Sequence, residues 1–244
     1  MKSTREHYHH GNLRAALLDA GLELAREGGP DAVIVREASR RVGVSHNASY
    51  RHFADRDRLL EAVCERCMAA LARLMEAGIA EVDPEDRSVD AARRRLRATG
   101  SAYVEFALAE PGWFRTAFAV PPGLDYLTDG HGDGDGVGLG EGVGDGVGGG
   151  DGGDVGLGEG EGEGDGEGAG AGGLGPFQLL KVQLDALAVA GGLAAERRPH
   201  SEIVAWAAVH GFATLLLDGP LRDLPEGERK LALARLLDTV ERGL

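Results

Sequence analysis

Cysteine is scarce, and the little there is builds no framework. The 244 residues contain two, Cys64 and Cys67, spaced as a single CxxC. A zinc site usually needs a second such pair or histidines at set spacing, and a thioredoxin-like dithiol needs a β-α-β context. Both are absent. Cysteines three apart on an apolar helical stripe read as packing, with a redox- or metal-sensing pair as the rival reading. Long apolar runs are missing too: none approaches the ~20 residues that span a bilayer. The opening MKSTREHYHHG has no apolar stretch behind its charges, unlike a secretory signal. A cytoplasmic chain is expected. His7, His9 and His10 have no partner cluster, so neither metal nor cofactor is expected. Enzymatic candidates reduce to His210 with a carboxylate, or the CxxC. Neither sits in a recognisable nucleophile motif, so the chain is not expected to be an enzyme.

Lysine and arginine are missing altogether from 129–175, where glycine alternates with Asp, Glu, Val and Leu. Such a stretch cannot bury enough surface to offset its ordering entropy, so a disordered acidic insertion is expected. GGDGGD at 149–154 matches the start of a calcium-binding nonapeptide, but Gly156 stands where a large apolar residue is needed. The pattern does not repeat. The insertion also explains most of the formal charge of −14: its twelve carboxylates set aside, 28 acidic residues face 26 basic ones. An interaction module that binds a basic partner through this insertion is one rival function.

Around Val35–Leu60 the chain has a definite grammar. Val35, Ala38, Ser39 and Val42 fall at helical spacing. Gly43 supplies a position free to take positive φ, and Ser45 is placed to cap a second helix from His46 to Phe53. Helix, glycine turn and helix at this spacing make a helix-turn-helix, whose second helix enters the DNA major groove. His46 and Asn47 suit base edges, and Tyr50, Arg51 and His52 suit phosphates. Asp55 suits the cap of the next helix. Arg56 in its first turn opposes the helix dipole, which a phosphate partner would explain. From Arg36 to Arg58 six arginines face Glu37, Asp55 and Asp57, and local sign decides phosphate affinity.

VGVSHNASYRHFADRDRLL closely resembles the DNA-binding domain of TetR-family transcriptional regulators, and YHHGNLRAALLDAGLELAREGG resembles that family's first helix. The resemblance implies groove or phosphate contacts for Arg36, His46, Asn47, Ala48, Tyr50, His52 and Arg56. It also implies a homodimer that binds a palindromic operator in double-stranded DNA, usually as a repressor released by a small-molecule effector. Two positions depart from the pattern. Ser39 replaces the usual alanine, and Ser49 replaces a larger apolar residue or proline, which is expected to loosen packing under the recognition helix.

The rest of the chain reads as helices. Leu13 to Glu27 forms the first, with Leu13, Leu17, Ala20 and Leu24 on one face. A long helix from Asp57 towards Gly78 carries Leu60, Val63, Cys67, Leu71 and Leu74. The next, about Val89 to Glu110, opens with Arg93, Arg94, Arg95 and Arg97, read as a solvated face in preference to a DNA contact. Tyr103, Phe106, Trp113, Phe114 and Phe118 form the richest aromatic cluster, a core that could also line an apolar ligand pocket. Beyond Pro176, helices are expected over Phe177–Ala190, from a Ser201 cap to Leu217, and over Glu226–Arg242. Trp206, His210 and Gly211 resemble the Trp-His-Gly signature of one C-terminal class in that family. Trp206 and His210 share a helix face, as core or dimer seam. The expected protein is all-α, with a helix-turn-helix domain over 1–60. A helical ligand-sensing and dimerisation domain is expected over 61–244.

Overall fold

The computed structural model describes residues 13–120 and 173–243, and every α-helix within them continues the order expected from the sequence. His7, His9, His10, the calcium-like stretch and nearly all of the acidic insertion lie outside the described residues. The helices are α1 (Leu13–Gly28), α2 (Val35–Val42), α3 (His46–Tyr50), α4 (Arg56–Ala80), α5 (Val89–Ala109) and α6 (Pro111–Ala117). Beyond the insertion come α7 (Pro176–Val189), α8 (Ser201–Leu217) and α9 (Glu226–Gly243). No strand occurs among the described residues, so the fold is all-α with an N-terminal helix-turn-helix. None of the described helices is long and apolar enough to cross a membrane.

Three apolar groups hold the helices. The first packs Leu17, Leu24, Val35, Phe53, Leu59 and Val63 from α1 to α4, and it reaches along the chain to Ala117 of α6. The second joins Leu71 and Met75 of α4 to Tyr103 and Phe106 of α5, Phe114 of α6 and Val209 of α8. The third sets Leu184 and Leu187 of α7 against Leu96 and Ala205. The long helix α4 therefore runs from one core into the next.

Four local expectations need correction. The recognition helix ends at Tyr50 rather than Phe53, because the chain turns there to deliver Phe53, 2% exposed, into the first core. Leu74 is 38% exposed, and Met75 takes the inward place. An α-helix drifts ~20° per heptad, so a stripe read in steps of three and four slips within two turns. Ser201 is the first residue of α8 and not its cap; the cap position is His200, at φ 63°. The Ser201 hydroxyl accepts from Arg198 instead, at 3.3 Å. The basic block of α5 is more than a solvated face. Arg97 binds Glu241 (2.6 Å) and Asp238 (3.0 Å), and Arg93 reaches the same Glu241, tying α5 to α9. Arg94 pairs with Asp86 while Arg95 donates to the carbonyls of Asp83 and Asp86, closing the α4–α5 loop.

Candidate nucleic-acid interface

The turn between α2 and α3 forms as its residues require. Gly43 takes φ 76° and ψ 30°, left-handed values that a Cβ resists, and its N–H donates to the Ser39 carbonyl at 2.9 Å. Ser45 then caps α3, its hydroxyl accepting from the Ala48 N–H at 3.3 Å. Asp55 caps α4 in the same manner, accepting from Arg58 N–H at 2.8 Å.

Under α3 the two unusual serines meet. Ser39 and Ser49 are buried, at 3% and 0% exposure, with their hydroxyl oxygens 2.7 Å apart. The Ser39 hydroxyl also lies 2.7 Å from the Val35 carbonyl, a bond that only the hydroxyl can donate. Ser39 has one proton, so Ser49 donates to Ser39. The expected loosening at Ser49 is thus not found: the small side chain is compensated by a bond across the α2–α3 crossing. Ser39→Ala is expected to cost about 1–3 kcal/mol, by orphaning a buried donor on Ser49. Adding Ser49→Ala should recover part of that loss, and strictly additive costs in urea melts would refute the pairing.

On the outer side of α3, His46, Asn47 and Tyr50 are exposed, as are Arg51 and His52 in the following turn. The His46 and Tyr50 rings are 4.5 Å apart, so they form one ridge along the helix. Ser45 is exposed but its hydroxyl is committed to the cap, and Ala48 is half-buried beside Asn47. Charge on this face is more selective than a count of arginines suggests. Arg40 is chelated by Glu37 (2.6 and 3.0 Å), and Arg41 by Glu27 (2.5 and 2.9 Å). The Arg40 guanidinium holds the Glu37 carboxyl below its usual range, and Arg41 does the same to Glu27. Arg58 pairs with Glu61 at 2.9 Å. Arg56 donates to the carbonyls of Val33 (3.1 Å) and Pro30 (2.9 Å), which gives it a reason to stand in the first turn of α4 without a phosphate. Arg36 and Arg51 have no ion pair among the described residues, and both are exposed. One feature had no signal in the periodicity: Arg14 of α1 lies over the Phe53 ring, its guanidinium carbon 5.2 Å from the centroid.

The two aromatic groups singled out in the sequence converge deeper in the molecule. Tyr103, Phe114 and Phe118 surround His210 with ring centroids 6.2, 5.6 and 4.9 Å away, and Trp206 lies 5.6 Å from it. The Trp206 indole N–H donates to the Tyr103 hydroxyl at 3.2 Å, and that hydroxyl lies 2.7 Å from Nδ1 of His210. An indole only donates. A neutral His210 ring completes this bond, as donor or acceptor according to its tautomer. Burial lowers the His210 pKa, in keeping with this neutral form. Phe106 is buried in the second core, and Gly211 stands where an added Cβ would meet nothing within 4 Å.

Trp113 packs against both the first and the second core. Its Nε1–H donates to the Leu22 carbonyl of α1 at 2.8 Å, beneath the Arg26 guanidinium at 4.2 Å, which Glu110 chelates at 2.8 and 2.9 Å. All five aromatics thus belong to or pack against the second core, and Trp113 is shared with α1. Cys64 and Cys67 are buried, and Cys64 Sγ donates to the Thr116 carbonyl at 2.9 Å. Burial pushes both thiols up, Cys67 to about 12, which suppresses the thiolate needed for redox or metal chemistry. Among the described residues no group of three or more His, Cys, Asp or Glu is gathered to hold a metal.

Comparison with known proteins bears on the same region. Residues 17–63 match the family model of bacterial regulatory proteins, tetR family. An HTH-type transcriptional repressor of Mycobacterium tuberculosis is 36% identical over 76 residues, and an HTH-type transcriptional regulator of Mycobacterium bovis matches equally. The match covers 31% of this chain and 40% of those relatives, so under half of their length is spanned. Among solved structures, a protein of unknown function from Rhodococcus sp. RHA1 has 26% identity and a TM-score of 0.65, covering 98% of both chains. A bacterial regulatory protein in the tetR family from Rhodococcus RHA1 is 16% identical with a TM-score of 0.51, over 94% of this chain and 95% of its own. That second likeness is one of fold alone.

Proposed function

We propose that this chain, whose residues 17–63 match the family model of bacterial regulatory proteins, tetR family, is a transcriptional repressor that binds operator DNA as a homodimer. Residues 1–60 serve as the reading head, and 61–244 as the ligand-sensing and dimerisation domain. The observation that carries this reading is the outer edge of the helix-turn-helix. There His46, Asn47 and Tyr50 stand clear of the core, flanked by Arg36 and Arg51 without carboxylate partners among the described residues. Arg40 and Arg41 are held by carboxylates, so the phosphate attraction falls on Arg36 and Arg51. Arg56 contributes by fixing the Pro30–Val33 backbone beneath the head.

The homodimer is supported by α8. It is apolar on every side, and such a helix needs cover all round. Yet Ile203, Val204 and Leu215 are 45%, 58% and 43% exposed, with open space at Gly211 for a neighbouring helix. On α9, Leu231 is 65% exposed. A twofold pairing of these faces sets two reading heads on inverted half-sites. The ring cluster of Tyr103, Phe114, Phe118 and Trp206 suits an apolar or aromatic effector that prefers the state unable to bind DNA.

Selection of bound duplexes from a random pool tests this directly. Inverted half-sites about one helical turn apart, or slightly more, are the expected product. Asn47→Ala should relax preference at one base position, losing ~1–3 kcal/mol of discrimination there. A pool that enriches no inverted repeat would remove the dimeric repressor from consideration.

A further inference from the structure

The reading head contains a third arginine whose side chain is positioned but not neutralised. Arg14 is exposed on α1, and no carboxylate lies within ion-pair distance of it among the described residues. It is nonetheless held in place, with its guanidinium carbon 5.2 Å from the centroid of Phe53. A cation at this range over a phenyl face is attracted by the ring quadrupole. Phe53 in turn is fixed: it is 2% exposed, its N–H donates to the Ser49 carbonyl at 3.0 Å, and it packs in the first core. It directly follows Arg51 and His52 at the carboxyl end of the recognition helix. A phenyl ring attracts the charge without chelating the five N–H donors as a carboxylate does. The arrangement therefore keeps the hydrogen-bonding edge of Arg14 available while limiting its rotamers. The contrast within the head is instructive. Arg40, Arg41 and Arg58 spend those same donors on Glu37, Glu27 and Glu61.

We propose that Arg14, positioned by Phe53, is a phosphate contact of the reading head, clamping the DNA backbone beside the carboxyl end of α3. The inference rests on the DNA-binding reading above and adds a residue from a different helix to it. Planar N–H donors match phosphate geometry in a bidentate manner, and such contacts position the protein without reading sequence. The effect should therefore be the same on any duplex.

The test uses the full chain and a labelled random-sequence duplex, with affinity measured by anisotropy across a series of KCl concentrations. Wild-type affinity should fall linearly on a log–log plot, and Arg14→Gln should make that slope shallower by about 0.9 per subunit bound. Arg14→Lys should keep most of the slope, since it keeps the charge. Arg73→Gln is the control: Arg73 is exposed on α4, about 25 Å from that helix's start, well beyond a Debye length of about 10 Å. It should leave the slope as in wild type. If Arg14→Gln changes only the urea midpoint and matches the wild-type slope, the residue is structural and the proposal is overturned. If Arg14→Gln and Arg73→Gln lower the slope alike, the effect is one of net charge and the proposal is again overturned. A wild type that binds no duplex at any salt would remove the DNA-binding reading itself, and this inference with it.

Discussion

Replacing Gly112 with alanine is expected to destabilise the fold by about 3 kcal/mol, at the upper end of what overpacking costs. A Cβ built at Gly112 would stand 2.2 Å from the Ala25 carbonyl oxygen and 2.4 Å from that of Arg26. Both are backbone atoms of α1, so no rotamer change relieves the clash and α6 must move outward. That movement stretches the Trp113 Nε1–Leu22 bond and lifts the indole from beneath Arg26. The gain in helix propensity, about 1 kcal/mol for Gly to Ala, opposes the loss without matching it. At about 2–4 °C per kcal/mol for a chain of this size, the thermal midpoint should drop by about 6–12 °C. Gly227→Ala in α9, where a Cβ meets nothing within 4 Å, should be neutral or stabilising. Equal midpoints for the two variants would mean that α6 does not rest on α1 in this way.

Tyr103→Phe should cost a similar amount for a different reason. The hydroxyl accepts from the Trp206 indole and bonds Nδ1 of His210, so its removal strands two polar groups. Each orphaned buried group costs roughly 1–3 kcal/mol, and a total near 3 is expected because His210 is only half-buried. The same network sets a pH dependence. Burial lowers the His210 pKa from 6.5, so the unfolded chain takes up this proton at a higher pH than the folded one. The contribution to stability is complete above the unfolded value and is lost as pH falls through the lowered folded value. Wild-type stability should therefore decline between about pH 7 and pH 5, and His210→Gln should remove part of that slope. Parallel pH profiles for the two proteins would sink the assignment.

Local chemistry was legible in the sequence, and contacts between distant segments were not. Gly43, Ser45 and Asp55 act within three or four residues of themselves, and each does what its type and position suggest. The extent of α4 is equally plain from its apolar stripe, apart from the drift that exchanges Leu74 for Met75. Ser39 and Ser49 look like two separate departures from a pattern; only the crossing of α2 over α3 shows that each compensates for the other. Six arginines can be counted between Arg36 and Arg58, but which remain available depends on Glu23 and Glu27, carried by another helix. Trp113 packs with its sequence neighbours, but its indole bond to Leu22 of α1 has no signature in its own segment. Trp206 and His210 were correctly placed on one face. Their bond to Tyr103, about a hundred residues earlier, has no signature in either segment.

The support that α6 gives to α1 has a consequence for biosynthesis. Ala117 lies within the first core, and Trp113 and Phe118 pack against it, so that core is unfinished when α1 to α4 alone have been made. Ribosomes add about 5–20 residues per second, so the roughly forty residues from the end of α4 to Phe118 take about 2–8 seconds. Throughout that interval the socket for the indole on α1 has no occupant. A nascent chain paused there presents an apolar notch to chaperones and proteases, and a truncation ending at residue 80 carries that notch permanently. The shortest fragment able to close its N-terminal core by itself therefore extends to α6, well past the last helix that faces DNA.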